Sequence, residues 1–217
     1  MPIIRTGLCG DLHTNVARRS EEARRIAYWI VDDAVARGAH FLGIGGDGID
    51  GPMTEKDRAW LIEFSDYCGN RMPTFWLMGN HEPVLSLRCL RGRKTKYPVI
   101  DEEGADVHVI DTEAGKLAVA AVSFPTKANL LAAVGRPVSG EEVDQIAGQA
   151  LQDVFRGLGV RVREFGLPTV GLVHATIKGS KISDDQPDRP LGLDIDIADL
   201  ALMGCDFICV PHIHKAN

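Results

Sequence analysis

The sequence predicts an α/β protein built on mostly parallel strands. Short apolar runs that are typical of strands alternate along the chain with longer segments of helical character. Strands separated by helices indicate a layered and mostly parallel sheet, because a parallel neighbour is reached through a crossover connection. In addition, polar residues with ligand chemistry follow directly on five of the apolar runs. Open α/β sheets carry their sites at those carboxyl ends of strands.

The first half of the chain alternates between strand and helix. The predicted elements are, in order, a strand at Ile3 to Cys9, a helix from about Ser20 to Arg37, a strand at Phe41 to Ile44, a helix from about Thr54 to Tyr67 and a strand at Thr74 to Met78. Glu21 and Glu22 suit the positive first turn of the first helix, and Gly38 is a typical stop. Trp29, Trp60 and Trp76 lie on apolar faces and are expected in the core.

The second half opens with a hairpin and ends on a strand. The predicted elements are a β-hairpin of Val107 to Ile110 and Leu117 to Ser123, a long helix ending near Leu158, a strand at Val170 to Val173, a long mobile loop at Lys178 to Arg189, a short helix near Ile197 to Met203 and a strand at Phe207 to Val210. A capping box at Ser139-Gly140-Glu141-Glu142 opens the long helix. With 217 residues, 45% of them hydrophobic, the chain can bury one core as a single domain over residues 1–217.

Eight residues with metal-binding or proton-transfer chemistry lie in five clusters, each directly after a strand-like run. They are Asp11 and His13, Asp47, Asn80 and His81, His174, and His212 and His214. Carboxylate, amide and imidazole donors without cysteine favour Mn, Fe or Zn over a thiolate-held structural zinc. Eight donors are too many for one ion but suit two ions that share a bridging carboxylate. Taken singly, each residue would be an ordinary turn, cap or core residue, so the prediction depends on their occurrence together.

These clusters resemble the signature of the calcineurin-like metallophosphoesterases. That signature runs Asp-x-His, Gly-Asp-x-x-Asp, Gly-Asn-His-Asp/Glu, a lone His and Gly-His-x-His. In this chain it reads Asp11-Leu12-His13, Gly46-Asp47-Gly48-Ile49-Asp50, Gly79-Asn80-His81-Glu82, His174 and Pro211-His212-Ile213-His214. The resemblance implies a four-layer α/β/β/α sandwich, with two sheets face to face, helices outside and a dinuclear metal site at the carboxyl ends of the strands.

The resemblance also implies a role for each motif residue. One ion would be held by Asp11, His13, Asp47 and His214, and the other by Asp47, Asn80, His174 and His212, with Asp47 as the bridge. Mn²⁺ is the first expectation for both ions, with Fe, Zn or Mg as alternatives. His81 is the candidate catalytic residue, which would protonate the leaving oxygen or stabilise the pentavalent phosphate. Asp50 and Glu82 are candidates for orienting imidazoles, with an ordinary structural role as the alternative.

One position departs from the signature. Pro211 stands where the family usually has glycine. Proline fixes φ near −65°, lacks an N–H and restricts the residue before it, here Val210. The last pair of ligands is therefore expected to have slightly altered geometry.

The flanks of the motifs narrow the resemblance further, to the SbcD-type exonuclease subunits of double-strand-break repair complexes. The flanks concerned are His174 to Gly179, Ala201 to Phe207 and His212 to Lys215. This implies a DNA exonuclease or endonuclease of repair or recombination, with DNA and an SbcC-like coiled-coil ATPase as partners and a homodimer as a further expectation. A small-substrate phosphatase or cyclic-nucleotide phosphodiesterase remains the alternative, because the metal site alone does not choose the substrate. A non-catalytic scaffold is disfavoured, because scaffolds tend to lose ligands.

The charge of the chain does not decide between a DNA substrate and a small one. The net charge of −6 lacks the basic footprint that is usual for nucleic-acid binding. A local basic run follows the Gly-Asn-His-Glu motif and is either a phosphate-binding segment or a solvated loop. It consists of Arg88, Arg91, Arg93, Lys94 and Lys96.

The ends and the cysteines predict the setting of the chain. Five cysteines without paired spacing indicate buried free thiols in a reducing compartment. The sequence shows neither a signal peptide nor an apolar run long enough for a membrane, so a cytoplasmic location and no membrane contact are expected. Family members of this type continue beyond the last motif, whereas this chain stops at Asn217. We therefore expect a catalytic-domain fragment, or a chain without the DNA-capping region, with an exposed sheet edge.

Overall fold

A computed structural model of the chain describes residues 3–15, 19–134, 140, 142–181 and 193–213. The strands are β1 (Thr6–Cys9), β2 (Phe41–Ile44), β3 (Thr74–Leu77), β4 (Val99–Glu102), β5 (Ala105–Thr112), β6 (Gly115–Val122), β7 (Thr169–Val173) and β8 (Phe207–Cys209). The α-helices are α1 (Ser20–Ala36), α2 (Glu55–Gly69), α3 (Lys127–Val134), α4 (Glu142–Phe165) and α5 (Ile197–Leu200), and short 3-10 helices cover Ser86–Leu90 and Ala201–Met203.

The strands form two four-stranded sheets in the orders β1-β2-β3-β4 and β5-β6-β7-β8. Every neighbouring pair in the first sheet is parallel. In the second sheet β5 and β6 form the antiparallel hairpin, and the remaining pairs are parallel. The prediction of mostly parallel strands with one hairpin is confirmed, and the parallel registers bring the carboxyl ends of β1, β2 and β3 to one edge.

Apolar side chains fill three spaces and so define four layers. Between the sheets, Phe41 and Phe75 of the first pack against Val119 and Leu172 of the second. The outer face of the first sheet packs against α1 and α2, and the outer face of the second packs against α4 and α5. The fold is therefore the α/β/β/α sandwich that the resemblance implied, and that expectation is confirmed.

Three elements differ from the prediction. The strand β4 was missed, because it is short, follows Pro98 and ends on the acidic pair Asp101 and Glu102. The helix α3 was also missed. The helix α4 continues past Leu158 to Phe165, although glycine at position 159 weakens a helix. A Cβ atom at Gly159 would lie 2.2 Å from the carbonyl oxygen of Leu202, so glycine allows the following 3-10 helix to approach α4 closely.

The prediction that all three tryptophans lie in the core is wrong for Trp29. Trp60 and Trp76 are buried, whereas Trp29 is 62% exposed. The buried face of α1 consists of Ala27, Val31 and Ala34. Trp29 follows Ala27 by two residues, which is about 200° around a helix, and so it lies on the opposite side.

The remaining expectations concern the edge of the second sheet, the capping box, the long loop and membrane-spanning helices. Within the described ranges β8 pairs with β7 alone and is an edge strand, and Phe207 on it is exposed. The capping residues Ser139 and Glu141 and most of the predicted loop, residues 182–189, lie outside the described residues. Among the helices in those ranges, none has the length and apolar character needed to cross a membrane.

Candidate metal centre

The described motif residues all follow strand ends. Asp11 and His13 follow β1, Asp47 follows β2, Asn80 and His81 follow β3, His174 directly follows β7 and His212 follows β8. Because β1, β2 and β3 belong to one sheet and β7 and β8 to the other, the motifs meet where the carboxyl ends of both sheets converge. His214, the eighth predicted residue, lies outside the described residues.

Two groups of ligand atoms share one carboxylate. Asp11, His13 and Asp47 form the first group, and Asp47, His174 and His212 form the second; within each group the ligand atoms lie within 4.8 Å of one another. Asn80 joins the second group, since its Oδ1 is 3.1 Å from Nε2 of His174. The same nitrogen is 3.1 Å from Oδ2 of Asp47. Asp47 is therefore the carboxylate that these two groups have in common.

Burial and hydrogen bonds orient the shared pair. Asp47 and His174 are 1% and 0% exposed. Nδ1 of His174 donates to the carbonyl oxygen of Gly45 at 2.7 Å, which leaves Nε2 directed at Asp47 and Asn80. Burial raises the pKa of Asp47, but the hydrogen bond and charge of His174 outweigh burial and bring it down to about 2. The carboxylate is thus held as the anion that a metal ligand must be.

Backbone strain is concentrated in the predicted ligands. Asp11, His13, Asp47 and His212 have φ angles of 54°, 43°, 52° and 104°. Leu85 is the one other described non-glycine residue with a positive φ. Such conformations cost of order 1–3 kcal/mol each and persist where the surroundings enforce them, typically at functional sites. The fold therefore holds these four side chains in directions that a relaxed loop would not give them.

Glu82 holds the loops that carry these ligands. Its buried carboxylate accepts backbone N–H bonds from Asp47 at 3.1 Å and from Gly79 at 2.8 Å, and others from Gly48 and Ile49. Burial, reinforced by the negative charge of Asp47, raises the pKa of Glu82 to about 7. Of the two interpretations of Glu82, these contacts favour the structural one, because its partners are backbone amides of the loops after β2 and β3.

His81 lies at the rim of the site and is oriented by Asp50. Nδ1 of His81 is in hydrogen-bond contact with Oδ1 of Asp50, as expected for a carboxylate that orients an imidazole. Nε2 lies 3.9 Å from Oδ2 of Asp47, and the ring meets that of His13 edge-on at a centroid distance of 5.0 Å. The His81 side chain is 38% exposed. His13, Asp50 and His81 also bring ligand atoms within 4.8 Å of one another, so His81 has the surroundings of a ligand as well as those of a proton donor.

Phe124 is a site residue that the sequence reasoning missed. Its ring centroid lies 5.1 Å from that of His212 and 6.1 Å from that of His174. Phe124 is buried and follows the end of β6, so it packs beneath both imidazoles. The strand-end rule that found the ligands would have found Phe124 if apolar residues had been considered beside polar ones.

The basic run is largely paired with acidic side chains. Arg91 makes a bidentate contact with Asp101, in which Nε donates to Oδ1 at 3.0 Å and Nη2 donates to Oδ2 at 2.7 Å. Arg93 binds Asp66 through Nε at 2.8 Å, and Nε of Arg88 lies 3.7 Å from Glu103. These contacts favour the interpretation that the run is a structured surface loop. They count against a phosphate-binding segment, because the arginines already have acidic partners.

Comparisons with known proteins identify a family and a similar fold. A model of the calcineurin-like phosphoesterase family matches residues 4–188. None of the curated proteins matches the chain significantly. Among solved structures, a crystal structure of TT1561 from Thermus thermophilus is similar with a TM-score of 0.57 at 14% sequence identity, covering 96% of this chain and 81% of that one. At this identity the likeness shows the fold alone.

Proposed function

The chain belongs to the calcineurin-like phosphoesterase family, and on that premise we propose that it is a two-metal phosphodiester hydrolase that acts on DNA. Membership implies metal-dependent hydrolysis of phosphoesters. The number of metal ions, the diester specificity and the DNA substrate are the proposal. Its central support is the shared carboxylate, since Asp47 belongs to both groups of ligand atoms.

The donor set fits two divalent ions. Asp11, His13 and Asp47 would hold one, with His214 as the expected fourth ligand. Asp47, Asn80, His174 and His212 would hold the other. Oxygen and imidazole donors without a thiolate suit Mn, Fe or Zn, and we propose Mn²⁺. When bound, the ions supply Lewis acidity that lowers the pKa of water and neutralises charge on the phosphate.

The chain's own residues would handle the leaving group. With Nδ1 in contact with Asp50, His81 keeps Nε2 on the side of Asp47 and His13. We infer that His81 carries the proton at Nε2 and gives it to the leaving oxygen, while Asp50 keeps the ring in that orientation. The partial exposure of both side chains leaves room for a bulky substrate at this rim.

The DNA substrate rests on the flanking residues, whose similarity to SbcD-type exonucleases was described above. A coiled-coil ATPase partner and a role in DNA repair are proposals with the same support. A small phosphodiester or phosphomonoester is the second candidate, favoured by the net charge of −6 and by the acidic partners of the basic run.

The discriminating experiment is a hydrolysis screen with Mn²⁺-loaded protein. Linear duplex DNA, single-stranded DNA, cyclic AMP, bis-nitrophenyl phosphate and nitrophenyl phosphate would be compared, with protein kept in EDTA as the control. The proposal predicts cleavage of DNA and of bis-nitrophenyl phosphate. Cleavage of cyclic AMP or of the monoester without any cleavage of DNA would establish the second candidate instead.

A further inference from the structure

Pro211 packs against two glycines at the junction of the two sheets. A Cβ atom at Gly10 would lie 2.5 Å from Cβ of Pro211, and a Cβ atom at Gly45 would lie 2.5 Å from its Cγ. Carbon atoms do not approach that closely without displacement. Pro211 is itself buried, so its ring has little room to move away. The ring therefore occupies space that only glycine at positions 10 and 45 leaves free.

The requirement for glycine at these positions comes from the ring. Neither Gly10 nor Gly45 has a positive φ, so the backbone at both would accept alanine. Apart from Pro211, the nearest atom to the added Cβ would be the carbonyl carbon of Gly45 at 3.6 Å for position 10. For position 45 it would be the carbonyl oxygen of Cys9 at 3.4 Å. These are ordinary contact distances, so removal of the proline ring should make alanine acceptable at both positions.

The three packed residues stand next to proposed ligands. Gly10 precedes Asp11, Pro211 precedes His212, and Gly45 precedes Asp47 by two residues. Hydrogen bonds link the same segments: the N–H of His212 donates to Oδ2 of Asp11 at 2.8 Å, and the N–H of Asp11 donates to the carbonyl oxygen of Gly46 at 3.0 Å. The ring thus lies where β1 and β2 of one sheet meet β8 of the other.

We propose that Pro211 is a positioning residue whose ring, seated between Gly10 and Gly45, sets the placement of His212 relative to Asp11 and Asp47. The inference rests on the proposed function, because it assigns the ring a role in aligning the two halves of the metal centre. Proline restricts the backbone that leads into the strained His212. Part of the conformational entropy lost in ordering this segment is therefore lost before a metal binds. A glycine at 211 leaves that placement looser.

A double-substitution cycle tests this inference. Gly45→Ala, Pro211→Gly and the combined variant would be compared with the unsubstituted chain. Two quantities would be measured: the free energy of unfolding in EDTA, and the affinity for Mn²⁺ by calorimetry. We expect Gly45→Ala to weaken Mn²⁺ binding by about tenfold to a hundredfold, the range seen when outer supports of ligands are lost. Pro211→Gly should have a smaller effect, and the combined variant should return to the level of Pro211→Gly alone.

Gly148→Ala in α4 is the matched control, because a Cβ atom there meets nothing within 4 Å. The effects of Gly148→Ala and Pro211→Gly should be additive, both in the free energy of unfolding and in the affinity for Mn²⁺. If Gly45→Ala fails to fold, the combined variant is still expected to fold, and that rescue would show the coupling between the two positions.

Additive effects in the cycle would overturn the inference. Coupling in stability with unchanged Mn²⁺ affinity for Gly45→Ala would show a packing role and overturn the positioning role. Absence of Mn²⁺ binding by the unsubstituted chain would contradict the proposed function and the positioning role together, whereas coupling in EDTA would still test the packing by itself.

Discussion

Among the described residues, two regions gather carboxylates and imidazoles within 4.8 Å, and they differ in what surrounds them. One is the candidate metal centre around Asp47; the other consists of Glu102, Asp106 and His108, on β4 and β5. The ion partners of Asp47 are imidazoles, those of His81 and His174. In the second cluster Asp106 pairs with the guanidinium of Arg161, and Glu102 lies 2.9 Å from Nε2 of His108.

The two clusters also differ in backbone conformation and in burial. Glu102, Asp106 and His108 lie in regular strands with negative φ, and the Asp106 side chain is 43% exposed. The proposed ligands of the candidate centre lie in loops, several with positive φ, and the shared carboxylate is almost fully buried. A buried anion without an arginine or lysine partner is costly unless a cation is to be bound. Proximity of donors is therefore a weak sign of a metal site, and a buried carboxylate on a strained loop whose ion partners are imidazoles is a stronger one.

The largest expected effect is that of removing the shared ligand. Asp47→Asn should abolish activity and weaken Mn²⁺ binding by more than about a hundredfold, because even outer supports of ligands can cost that much. Elemental analysis after dialysis, together with hydrolysis of bis-nitrophenyl phosphate, measures both. Glu102→Gln is the matched control from the second cluster and should keep the metal. Equal loss of metal in the two variants would remove the distinction between the clusters.

The next effect separates proton transfer from ligation at the rim. His81→Ala should lower turnover by ~10²–10⁴, the usual contribution of a positioned acid or base, and leave metal content nearly intact. The loss should shrink for nitrophenyl esters, whose leaving groups need no proton. Turnover on substrates with poor and good leaving groups measures the difference. A His81→Ala protein without metal would make His81 a ligand and His13, Asp50 and His81 part of the centre.

A smaller effect concerns the second cluster and pH. The hydrogen bond from His108 lowers the pKa of Glu102 despite burial. A carboxylate with a lowered pKa stabilises the fold above its unfolded-state pKa of about 4.3, and this contribution is lost as pH falls through the folded-state value. Glu102→Gln should therefore lower the free energy of unfolding by roughly 1 kcal/mol at pH 7 and by less in more acidic buffer. Urea denaturation at neutral and acidic pH measures this, and an equal loss at both would show that the charge of Glu102 is irrelevant.

The smallest effect is expected at the basic run. Replacement of Arg91, Arg93 and Lys96 by glutamine removes two arginines that already have acidic partners. The slope of log K against log salt for duplex DNA should therefore change by less than roughly 0.9, the value of one lost phosphate contact. Binding measured over a salt series gives the slope. A fall of roughly 0.9 for each residue replaced would restore the run as a phosphate-binding segment and strengthen the DNA proposal.

The sequence predicted most strands because strand-end chemistry and apolar periodicity are local properties, whereas the four layers were implied by the resemblance of the motifs to a known family. Asp11, Asp47 and His174 could each be placed after a strand from their neighbours in sequence alone. The exposure of Trp29 followed from which face of α1 packs on the sheet, and that is decided by contacts with other elements. The role of Glu82 and the packing of Pro211 depend on residues more than thirty positions away, such as Asp47 and Gly45. Such distant contacts leave no local pattern to read.

The shared carboxylate of Asp47 is the central claim, and electron paramagnetic resonance of the Mn²⁺-loaded protein tests it most directly. We expect two Mn²⁺ ions per chain by elemental analysis and the spectrum of an exchange-coupled pair. Asp47→Asn should lose that coupling, while Glu102→Gln should keep it. One Mn²⁺ per chain with the spectrum of an isolated ion would contradict the account.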